Sequence, residues 1–402
     1  MRLLFFIAEF YRLQGSQRSL LSLLRRLPER SVDPIVVFPG KGRCSEAYRS
    51  HGLNVIVLPA PDVLNVADKA LLKVSPLETA KLLATQVLPF SRSLARLVNE
   101  LKIDILHFNT PRSILLGGFS TVLSRRPSVL HVRGQMHVLG RIHRLVSQLI
   151  PSRMILVSEA LRSHIYRVFR HKCQTIYTGI SESDIPGGTG TKTNSVDLPF
   201  ERNGRPIVCT SAAVCPFKGY HHLIEAAHIL SQRGMESPIF LAIGEQTDES
   251  YYTYLQSLLK KYNLTNFHFL GWKDNMIDYY KCADIIILPS VETERQRING
   301  REVEIKGNEG LPRVVLEAMF LGKPLIASRV AGTVEQIEDG RSGILVQPGN
   351  PEELAQAMEK LLHNAELKKE MGRQAKAVAQ ARFSNERMVT ETVNLFHDLM
   401  PG

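Results

Sequence analysis

Two glutamates eight residues apart carry the clearest potential for chemistry in this sequence. Glu309 precedes the tetrapeptide GLPR at positions 310–313, and Glu317 stands in the apolar run that follows. Proline suits a first helical turn, so we predict a helix entered at Leu311 to Arg313, with Glu309 in the loop before it. Carboxylates accept paired hydrogen bonds from hydroxyls, and N–H groups at a helix start bind phosphate or hydroxyl oxygens. The alternative is an ordinary helix start with Glu317 simply exposed.

Lys218 and Gly219 form a second candidate loop. They stand at a turn immediately before a segment of helical period, residues 221–232. A lysine there holds a diphosphate as a point charge, and a glycine permits close approach of the backbone. A lysine that is merely solvated is the alternative.

A third candidate loop follows the first apolar run of the chain. Gly15 and Ser16 are predicted to precede an apolar helix that contains Leu20 to Leu24. Small residues at a helix entry let N–H groups approach a phosphate, which the helix dipole also favours. One glycine at such a turn is equally consistent with an ordinary turn.

Short apolar runs alternate with segments of helical period along the chain, as in parallel α/β sheets. In chain order the predicted strands are 3–8, 34–38, 55–58, 105–108, 128–132 and 154–157, then 207–211, 239–243, 267–270, 285–288, 324–327 and 343–346. Ligands bind beyond the carboxyl ends of parallel strands. The three candidate loops therefore stand where a site is expected.

The length of 402 residues exceeds what one hydrophobic core organises, so we predict two domains. A stretch rich in Gly, Thr, Ser and Pro near the middle of the chain is the predicted linker. The predicted segments are an N-terminal domain 1–185, the linker 186–200, a C-terminal domain 201–380, and a C-terminal helix within 381–402 that packs back towards the N-terminal domain. The predicted class is α/β, with two doubly wound, Rossmann-like parallel sheets.

Composition excludes several classes of protein. With 44% hydrophobic and 22% charged residues, the chain is neither disordered nor fibrous. Charged residues break every apolar run, and Glu9 ends the first one, so we predict a buried first strand rather than a signal peptide or membrane span. The five cysteines lack the spacing of a metal site and indicate a reducing, cytoplasmic location.

Charge is unevenly distributed along the chain. Residues 1–200 hold 27 Lys and Arg against 13 Asp and Glu, whereas residues 201–402 hold 23 against 26. The surplus indicates an acidic partner, with a solvated basic surface as the alternative. The basic residues interleaved with Leu, Ile and Val before the linker are Arg125, Arg126, Arg141, Arg144, Arg153, Arg162, Arg167, Arg170 and Lys172. This pattern favours an anionic membrane surface over nucleic acid, because no stacking aromatics accompany the charge.

Over nearly its whole length the sequence resembles the family 4 retaining glycosyltransferases of GT-B fold. The stretches that carry the resemblance include RSLLSLL, DILHFNTPRSILLGG, FKGYHHLIEAA, FHFLGWKDNMIDYYKCADIIILPS and EGLPRVVLEAM. The resemblance implies two Rossmann-like domains that face each other across a cleft. It also implies transfer of a hexosyl group from a UDP or GDP sugar, with retention and with neither metal nor cofactor. The implied acceptor is a glycan or a polyprenyl-diphosphate-linked glycan, in bacterial cell-surface polysaccharide or glycolipid synthesis.

By position, the resemblance assigns roles to individual residues. Lys218 would hold the donor diphosphate, Glu309 the donor-sugar hydroxyls, and Glu317 the ribose. Gly15 would lie near the diphosphate, His131 would approach the donor sugar, and Trp272 would wall the nucleobase pocket. Lys218, Glu309 and His131 are the predicted catalytic group. The other predicted donor-binding residues are Gly219, Gly310, Leu311, Pro312 and Arg313.

Three features depart from the family pattern. Ala213 replaces the usual arginine five positions before the lysine, and Gln14-Gly15 replaces a glycine pair. An insert at residues 291–308, with four basic and four acidic side chains, is predicted to be a hairpin or lid that orders the acceptor or a loop, or else a neutral surface excursion. A non-catalytic subunit and a nucleotide-sugar epimerase of the same fold remain alternative functions.

Overall fold

Each half of the chain builds one parallel β-sheet. In the computed structural model the first sheet contains β1 (Arg2–Phe6), β2 (Asp33–Phe38), β3 (Asn54–Val57), β4 (Ile105–Phe108), β5 (Ser128–Val132), β6 (Arg153–Leu156) and β7 (Cys173–Thr175). The second contains β8 (Ile207–Ser211), β9 (Ile239–Ile243), β10 (Phe267–Gly271), β11 (Ile285–Leu288), β14 (Leu325–Ser328) and β15 (Ile344–Val346). Between β11 and β14, the strands β12 (Thr293–Ile298) and β13 (Arg301–Lys306) pair as an antiparallel hairpin.

Helices connect the strands. They are α1 (Gly15–Leu24), α2 (Arg43–Ser50), α3 (Leu88–Glu100), α4 (Pro111–Gly117), α5 (Phe119–Ser124), α6 (Arg141–Leu149), α7 (Tyr220–Gln232), α8 (Glu249–Lys261), α9 (Met276–Cys282), α10 (Arg313–Phe320), α11 (Thr333–Gln336), α12 (Pro351–Leu362), α13 (Ala365–Arg382) and α14 (Asn385–His397). Side-chain caps start several of them: Asp248 accepts from the N–H of Tyr251, and Asn350 from that of Glu353. None of the helices in the described part of the chain is long and apolar enough to cross a membrane.

The chain separates into two units. Unit 1 comprises Met1–Gly179 and the chain from Asn385 onward, and unit 2 comprises Ile180–Ser384. The structure describes residues 1–400 except 12, 14, 62–80, 137–139, 186–195, 197, 199, 200, 235–237 and 308. Apart from residues 196 and 198, the predicted linker 186–200 lies outside the described residues, and so does Gln14.

Both sheets reverse their strand order at one point. The order is β3-β2-β1-β4-β5-β6-β7 in unit 1 and β10-β9-β8-β11-β14-β15 in unit 2. In unit 1 the chain goes from β1 to its neighbour β2 towards one edge of the sheet, and from β4 to β5 towards the opposite edge. In unit 2 the connections from β8 to β9 and from β11 to β14 diverge in the same way. In each sheet the chain therefore leaves these two strands in opposite directions, and the crevice at the carboxyl edge beside them is where such sheets bind ligands.

The strands form because their residues are apolar on both faces, as burial between two helix layers requires. Strand β4 and strand β5 are buried along their whole length. In unit 1 the terminal helix α14 completes the core: Met388, Val389 and Phe396 pack with Leu20 and Leu24 of α1. The Asn385 amide at its start also donates to Ser22 Oγ at 2.9 Å.

The twelve predicted strands are all present, with bounds that differ by at most two residues. The short strand β7 was not predicted. One helix start was predicted wrongly. Gly15 and Ser16 do not precede α1 but form its first turn, where the Gly15 carbonyl accepts from Ser19 Oγ at 2.9 Å. Helix α10 begins at Arg313, the last residue of the predicted entry 311–313, and Pro312 is its extended cap residue rather than part of its first turn.

Candidate active site

The loops that follow β8 and β11 press together at the point where the sheet of unit 2 reverses. A single helical turn, Pro216–Lys218, leads to Gly219, whose φ of 67° is in the left-handed region. A Cβ on Gly219 would lie 1.9 Å from the carbonyl oxygen of Pro289. The Val291 N–H donates to the Phe217 carbonyl at 2.8 Å. Only glycine fits this approach, and it fixes Lys218 beside the end of β11.

Lys218 and Glu309 are in direct contact at this crevice. The ammonium of Lys218 donates to Oε1 of Glu309, and Ser290 Oγ donates to the same oxygen at 2.8 Å. Both side chains are largely buried, at 16% and 9% exposure. Both contacts use Oε1, so among the described residues Oε2 is the oxygen of this carboxylate that is left for a ligand. The structure therefore brings together the two residues that the sequence places 91 positions apart.

Glu317 lies on α10 and pairs with an arginine. Arg313 Nε donates to Glu317 Oε1 at 2.8 Å, and both side chains are about nine-tenths buried. The alternative interpretation, in which Glu317 is simply exposed, is therefore wrong, because the side chain lies against its own helix. Carboxylate and guanidinium together present both acceptors and donors to a polar ligand.

The segment between the two glutamates is held by α11. The Gly332 N–H donates to the Gly310 carbonyl at 3.0 Å, and the Gln336 amide donates to the Pro312 carbonyl at 3.1 Å. These bonds hold both carbonyls in the extended loop, which is why the helix starts only at Arg313. A Cβ on Gly332 would lie 2.2 Å from the Gly310 oxygen. Leu311 is buried within this loop at 8% exposure.

Trp272 and Ala213 stand at the same edge of the sheet as the lysine. Trp272 follows β10, two strands from β8, with its indole 44% exposed and its N–H donating to Asp274 at 3.0 Å. Its assignment to the nucleobase remains a prediction. Ala213 follows β8 beside Gly244, so this position offers no cation.

In unit 1, His131 lies within a buried polar cluster at the corresponding reversal point. Glu9 follows β1, and its carboxylate accepts from Thr110 Oγ1, which follows β4, at 2.9 Å. Arg133 follows β5 and donates from Nε to Asn109 Oδ1 at 2.7 Å and from Nη2 to His131 Nδ1 at 3.2 Å. Gly15, also in this unit, is exposed at the start of α1.

The electrostatics of this cluster fix the protonation of His131. Burial lowers its pKa well below the ordinary value, and the charge of Arg133 adds to the effect. Burial also lowers the pKa of Arg133 to about 10, so the guanidinium stays charged at neutral pH. Because Arg133 donates to Nδ1, the proton of the neutral His131 ring is on Nε2. That nitrogen is buried without a hydrogen-bond partner among the described residues.

Sequence reasoning missed Glu9, Asn109 and Arg133. Each follows a predicted strand, which was the available signal. Their proximity depends on β1 lying next to β4, and on β4 lying next to β5. Chain order alone does not specify those neighbours.

The insert forms the predicted hairpin. Strands β12 and β13 pair from Thr293↔Lys306 to Ile298↔Arg301. The turn is Asn299-Gly300, with φ values of 49° and 79°, a pair that favours the tight hairpin turn. The Ala331 N–H donates to the Glu292 carboxylate at 2.8 Å and ties the base of the hairpin to the loop after β14. Residue 308 lies outside the described residues.

Family models match both halves of the chain. The model described as Glycosyltransferase Family 4 matches residues 13–184, and the model described as Glycosyl transferases group 1 matches residues 194–378. Together they leave only the two ends and a short central segment unmatched.

Curated relatives are glycosyltransferases. The uncharacterized glycosyltransferase MJ1607 of Methanocaldococcus jannaschii is 27% identical over 253 residues, which are 60% of this chain and 59% of that protein. Alpha-D-kanosaminyltransferase of Streptomyces kanamyceticus is 28% identical over 48% of this chain and 46% of its own. The capsular polysaccharide biosynthesis glycosyltransferase CapM of Staphylococcus aureus is 20% identical over 76% of this chain and 79% of its own. The chain thus spans less than two thirds of the length of the first two proteins.

Solved structures share the fold over the whole chain. Anabaena HepE, crystallised with UDP and glucose, superposes with a TM-score of 0.78 at 18% identity and covers 99% of both chains. A glycosyltransferase from Rickettsia africae also gives 0.78, at 17% identity, over 99% of this chain and 98% of its own. The two Rossmann-like domains are those of the GT-B fold. With one family model on each domain and glycosyltransferases among its relatives, the chain belongs to glycosyltransferase family 4.

Proposed function

We propose that this glycosyltransferase moves a hexosyl group from a nucleoside-diphosphate sugar to a hydroxyl of a glycan or polyprenyl-diphosphate-linked acceptor, with retention and without a catalytic metal. One observation carries the proposal: Lys218, Ser290 and Glu309 meet at the reversal point of the unit 2 sheet. HepE binds UDP and UDP-glucose in its crystals, which makes a UDP sugar the first donor to test.

In this proposal the donor lies along the carboxyl edge of unit 2. Lys218 holds the diphosphate as a point charge, helped by the N–H groups at the start of α10. Oε2 of Glu309 accepts from hydroxyls of the donor sugar, while Ser290 and Lys218 keep the carboxylate in place. Glu317 accepts from the ribose hydroxyls. When the diphosphate binds, it shares the Lys218 ammonium with Glu309.

The reaction itself needs charge stabilisation rather than a protein nucleophile. The bond between the anomeric carbon and the phosphate oxygen breaks, and its electron pair leaves with the nucleoside diphosphate. Lys218 and the start of α10 stabilise the charge that develops on that oxygen. The acceptor hydroxyl forms the new bond on the same face of the sugar and transfers its proton to the departing phosphate. The fixed positive charge of Lys218 and of the helix start stabilises the leaving phosphate, as a bound metal ion does in other transferases.

His131 is the group that we propose for orienting the donor sugar. A neutral ring with its proton on Nε2 donates a hydrogen bond to a sugar hydroxyl and does not repel the cationic character that develops at the anomeric carbon. Arg133 and Asn109 hold the ring in that orientation. His131 is thus assigned to orientation of the donor sugar.

A ligand screen by thermal shift tests the donor site first. UDP, GDP, ADP and their sugars are compared, because a ligand that binds only the folded protein raises Tm. We expect one nucleotide to stabilise the protein selectively, and we expect Lys218→Ala and Glu317→Gln to abolish most of that shift. Glu366→Gln, an exposed glutamate in the first turn of α13, is the matched control and should behave like wild type.

Transfer assays test the reaction. A transferase releases the nucleoside diphosphate from the donor only when an acceptor is present. An epimerase of this fold releases it from the donor alone. The anomeric configuration of the product, read by NMR, tests retention. Addition of Mg²⁺ or Mn²⁺ should change the rate by less than about twofold. We expect Glu309→Gln to lower kcat by roughly a hundredfold, because a charged hydrogen bond to the sugar is lost. Wild-type turnover in Glu309→Gln would remove this residue from the site.

A surface of unit 1 supports a lipid-linked acceptor. Exposed apolar side chains stand on α5 and α6 and on the turn before β7: Val122, Leu123, Ile142, Leu145, Leu149 and Val168, each 46–73% exposed. Between residues 105 and 175 the chain has a single acidic residue, Glu159, against eleven Lys and Arg. Helices α5 and α6 both pack on α4. Apolar side chains among cations suit docking at an anionic bilayer interface.

Vesicle flotation tests this docking. Phosphatidylcholine vesicles with about one third phosphatidylglycerol should float the protein at low salt, and about 0.5 M NaCl should release it because surface attraction is screened. The double variant Ile142→Ser, Leu145→Ser should bind at least tenfold more weakly. Val334→Ser, which removes an equally exposed apolar side chain from unit 2, is the control. Protein that stays in solution with these vesicles would refute membrane docking.

A further inference from the structure

Three side chains that ligate metals meet on the flank of the Lys218 turn. His221 and His222 stand in the first turn of α7, and Glu294 stands on β12 of the hairpin. One ligand atom from each lies within 4.8 Å of the others. The roles assigned to the donor site above use none of these three residues.

The distances between the ligand atoms are those of a metal site. Oε2 of Glu294 lies 2.9 Å from Nε2 of His222, and Oε1 lies 3.6 Å from Nε2 of His221. Ligands at 2.0–2.2 Å from a tetrahedral Zn²⁺ are separated by about 3.4 Å. Small side-chain adjustments therefore place both imidazoles and the carboxylate around one ion.

The other nitrogen of each imidazole faces an outer oxygen. Nδ1 of His221 is 2.7 Å from the Tyr251 hydroxyl, and Nδ1 of His222 is 3.4 Å from a carboxylate oxygen of Glu225. Histidines that bind metal present one nitrogen to the ion and the other to a carboxylate, carbonyl or similar oxygen, which fixes the tautomer. The His221 ring thus already has the orientation of a metal ligand, and a small movement of Glu225 would give the His222 ring the same outer hydrogen bond.

Burial and space also fit an ion. His221 is completely buried, and its Nε2 has no hydrogen-bond partner among the described residues although it points towards Glu294. Such a polar atom needs a partner. Gly349 borders the cluster: a Cβ there would lie 3.6 Å from His222 Nε2 and 4.0 Å from Glu294 Oε2. Gly349 therefore places no side chain against these two ligand atoms.

We propose that His221, His222 and Glu294 bind one Zn²⁺ that fastens the hairpin β12–β13 to helix α7. Two imidazoles and one carboxylate are a zinc donor set. The ion holds the hairpin beside the turn that carries Lys218 and leaves the reacting atoms to the residues described above. The site is independent of the proposed transfer reaction, which uses no metal at the diphosphate.

Metal titration of the full chain tests the site. Tag-free protein is stripped with chelator and exchanged into chelator-free buffer. One sample is titrated with Zn²⁺ by calorimetry. A second sample is loaded with Co²⁺, followed by visible absorption, and then titrated with Zn²⁺. We expect one equivalent of Zn²⁺ to bind at micromolar Kd or tighter, to raise Tm, and to displace Co²⁺ from a tetrahedral spectrum. Glu294→Gln and His222→Asn should each weaken binding at least tenfold.

Matched controls separate this cluster from other ligands. Glu304→Gln changes an exposed glutamate on the partner strand of the same hairpin, and His228→Asn changes another histidine of α7. Both should bind Zn²⁺ like wild type. Absence of Zn²⁺ binding, or equal affinity in Glu294→Gln and wild type, overturns the proposal. Circular dichroism and the nucleotide-induced Tm shift verify that each variant folds. If Glu294→Gln does not fold, His222→Asn replaces it in the comparison with wild type.

Discussion

At the scale of single residues, the three predicted catalytic residues differ in charge. Lys218 and Glu309 meet as an ion pair, whereas His131 is neutral and buried. The sequence suggested all three through resemblance, but it does not show that Arg133 donates to His131 and thereby fixes its proton on Nε2. That tautomer results from packing between strands whose adjacency the chain order does not state.

Replacement of His131 by Phe should lower kcat about tenfold without changing the affinity for the nucleotide alone, because one neutral hydrogen bond to the sugar is lost. Steady-state kinetics and thermal shift measure the two effects. His131 does not titrate near pH 6.5, since its pKa is lowered by burial, so wild-type kcat should show no step there. The control is His107→Phe, which changes the neighbouring ring 5.5 Å away. Equal losses in both variants would indicate general damage to the core.

At the scale of elements, prediction succeeded for the strands and was weaker at the loops. The buried strands are continuous apolar runs, so β4, β5, β8, β9 and β11 have the predicted bounds. The loop before α10 is held by a distant segment, because the Gln336 amide donates to the Pro312 carbonyl, and the local sequence does not show this bond. The contact between the loops after β8 and β11 also had no local signal. Gly219 was interpreted only as permitting close approach of a diphosphate.

Gly219→Ala tests how strictly that contact is required. A methyl group would meet the Pro289 carbonyl, and the positive φ adds strain, so the free energy of unfolding of unit 2 should fall by roughly 2–4 kcal/mol. Gly234→Ala, at the other end of α7, has a similar φ of 69°, and no described residue lies within 4 Å of the added Cβ, so it should cost only about 1 kcal/mol. Urea unfolding followed by the fluorescence of Trp272, the single tryptophan, reports on this unit. Equal losses would show that φ, not the contact, matters.

At the scale of the whole molecule, the two units differ in charge and in the charged groups that surround their buried histidines. Unit 1 holds 27 Lys and Arg against 13 Asp and Glu, and unit 2 holds 23 against 26. The sequence showed this imbalance directly, because charge requires no knowledge of contacts. It did not show that unit 1 buries His107 and His131 side by side near the Arg133 guanidinium.

These histidines should make unit 1 sensitive to acid. Burial, with the charge of Arg133 adding, lowers the pKa of His107 to about 3 from an ordinary value of 6.5. Between these two values the unfolded chain binds a proton that the folded unit does not. The free energy of unfolding should therefore fall as the pH falls from about 6.5 towards 3, by up to about 1.4 kcal/mol per pH unit for each such histidine.

His107→Phe should reduce that slope, because phenylalanine binds no proton in either state and fits beside the rings of Phe5 and Phe396. Hydrogen exchange of peptides that contain β4, measured from pH 7 to pH 4 after correction for the intrinsic rate, reports the stability of unit 1 separately. The variant and wild type should differ least near pH 7.5 and increasingly below pH 6. A difference that stays constant with pH would assign the effect to packing, and His107 would then contribute nothing to acid unfolding.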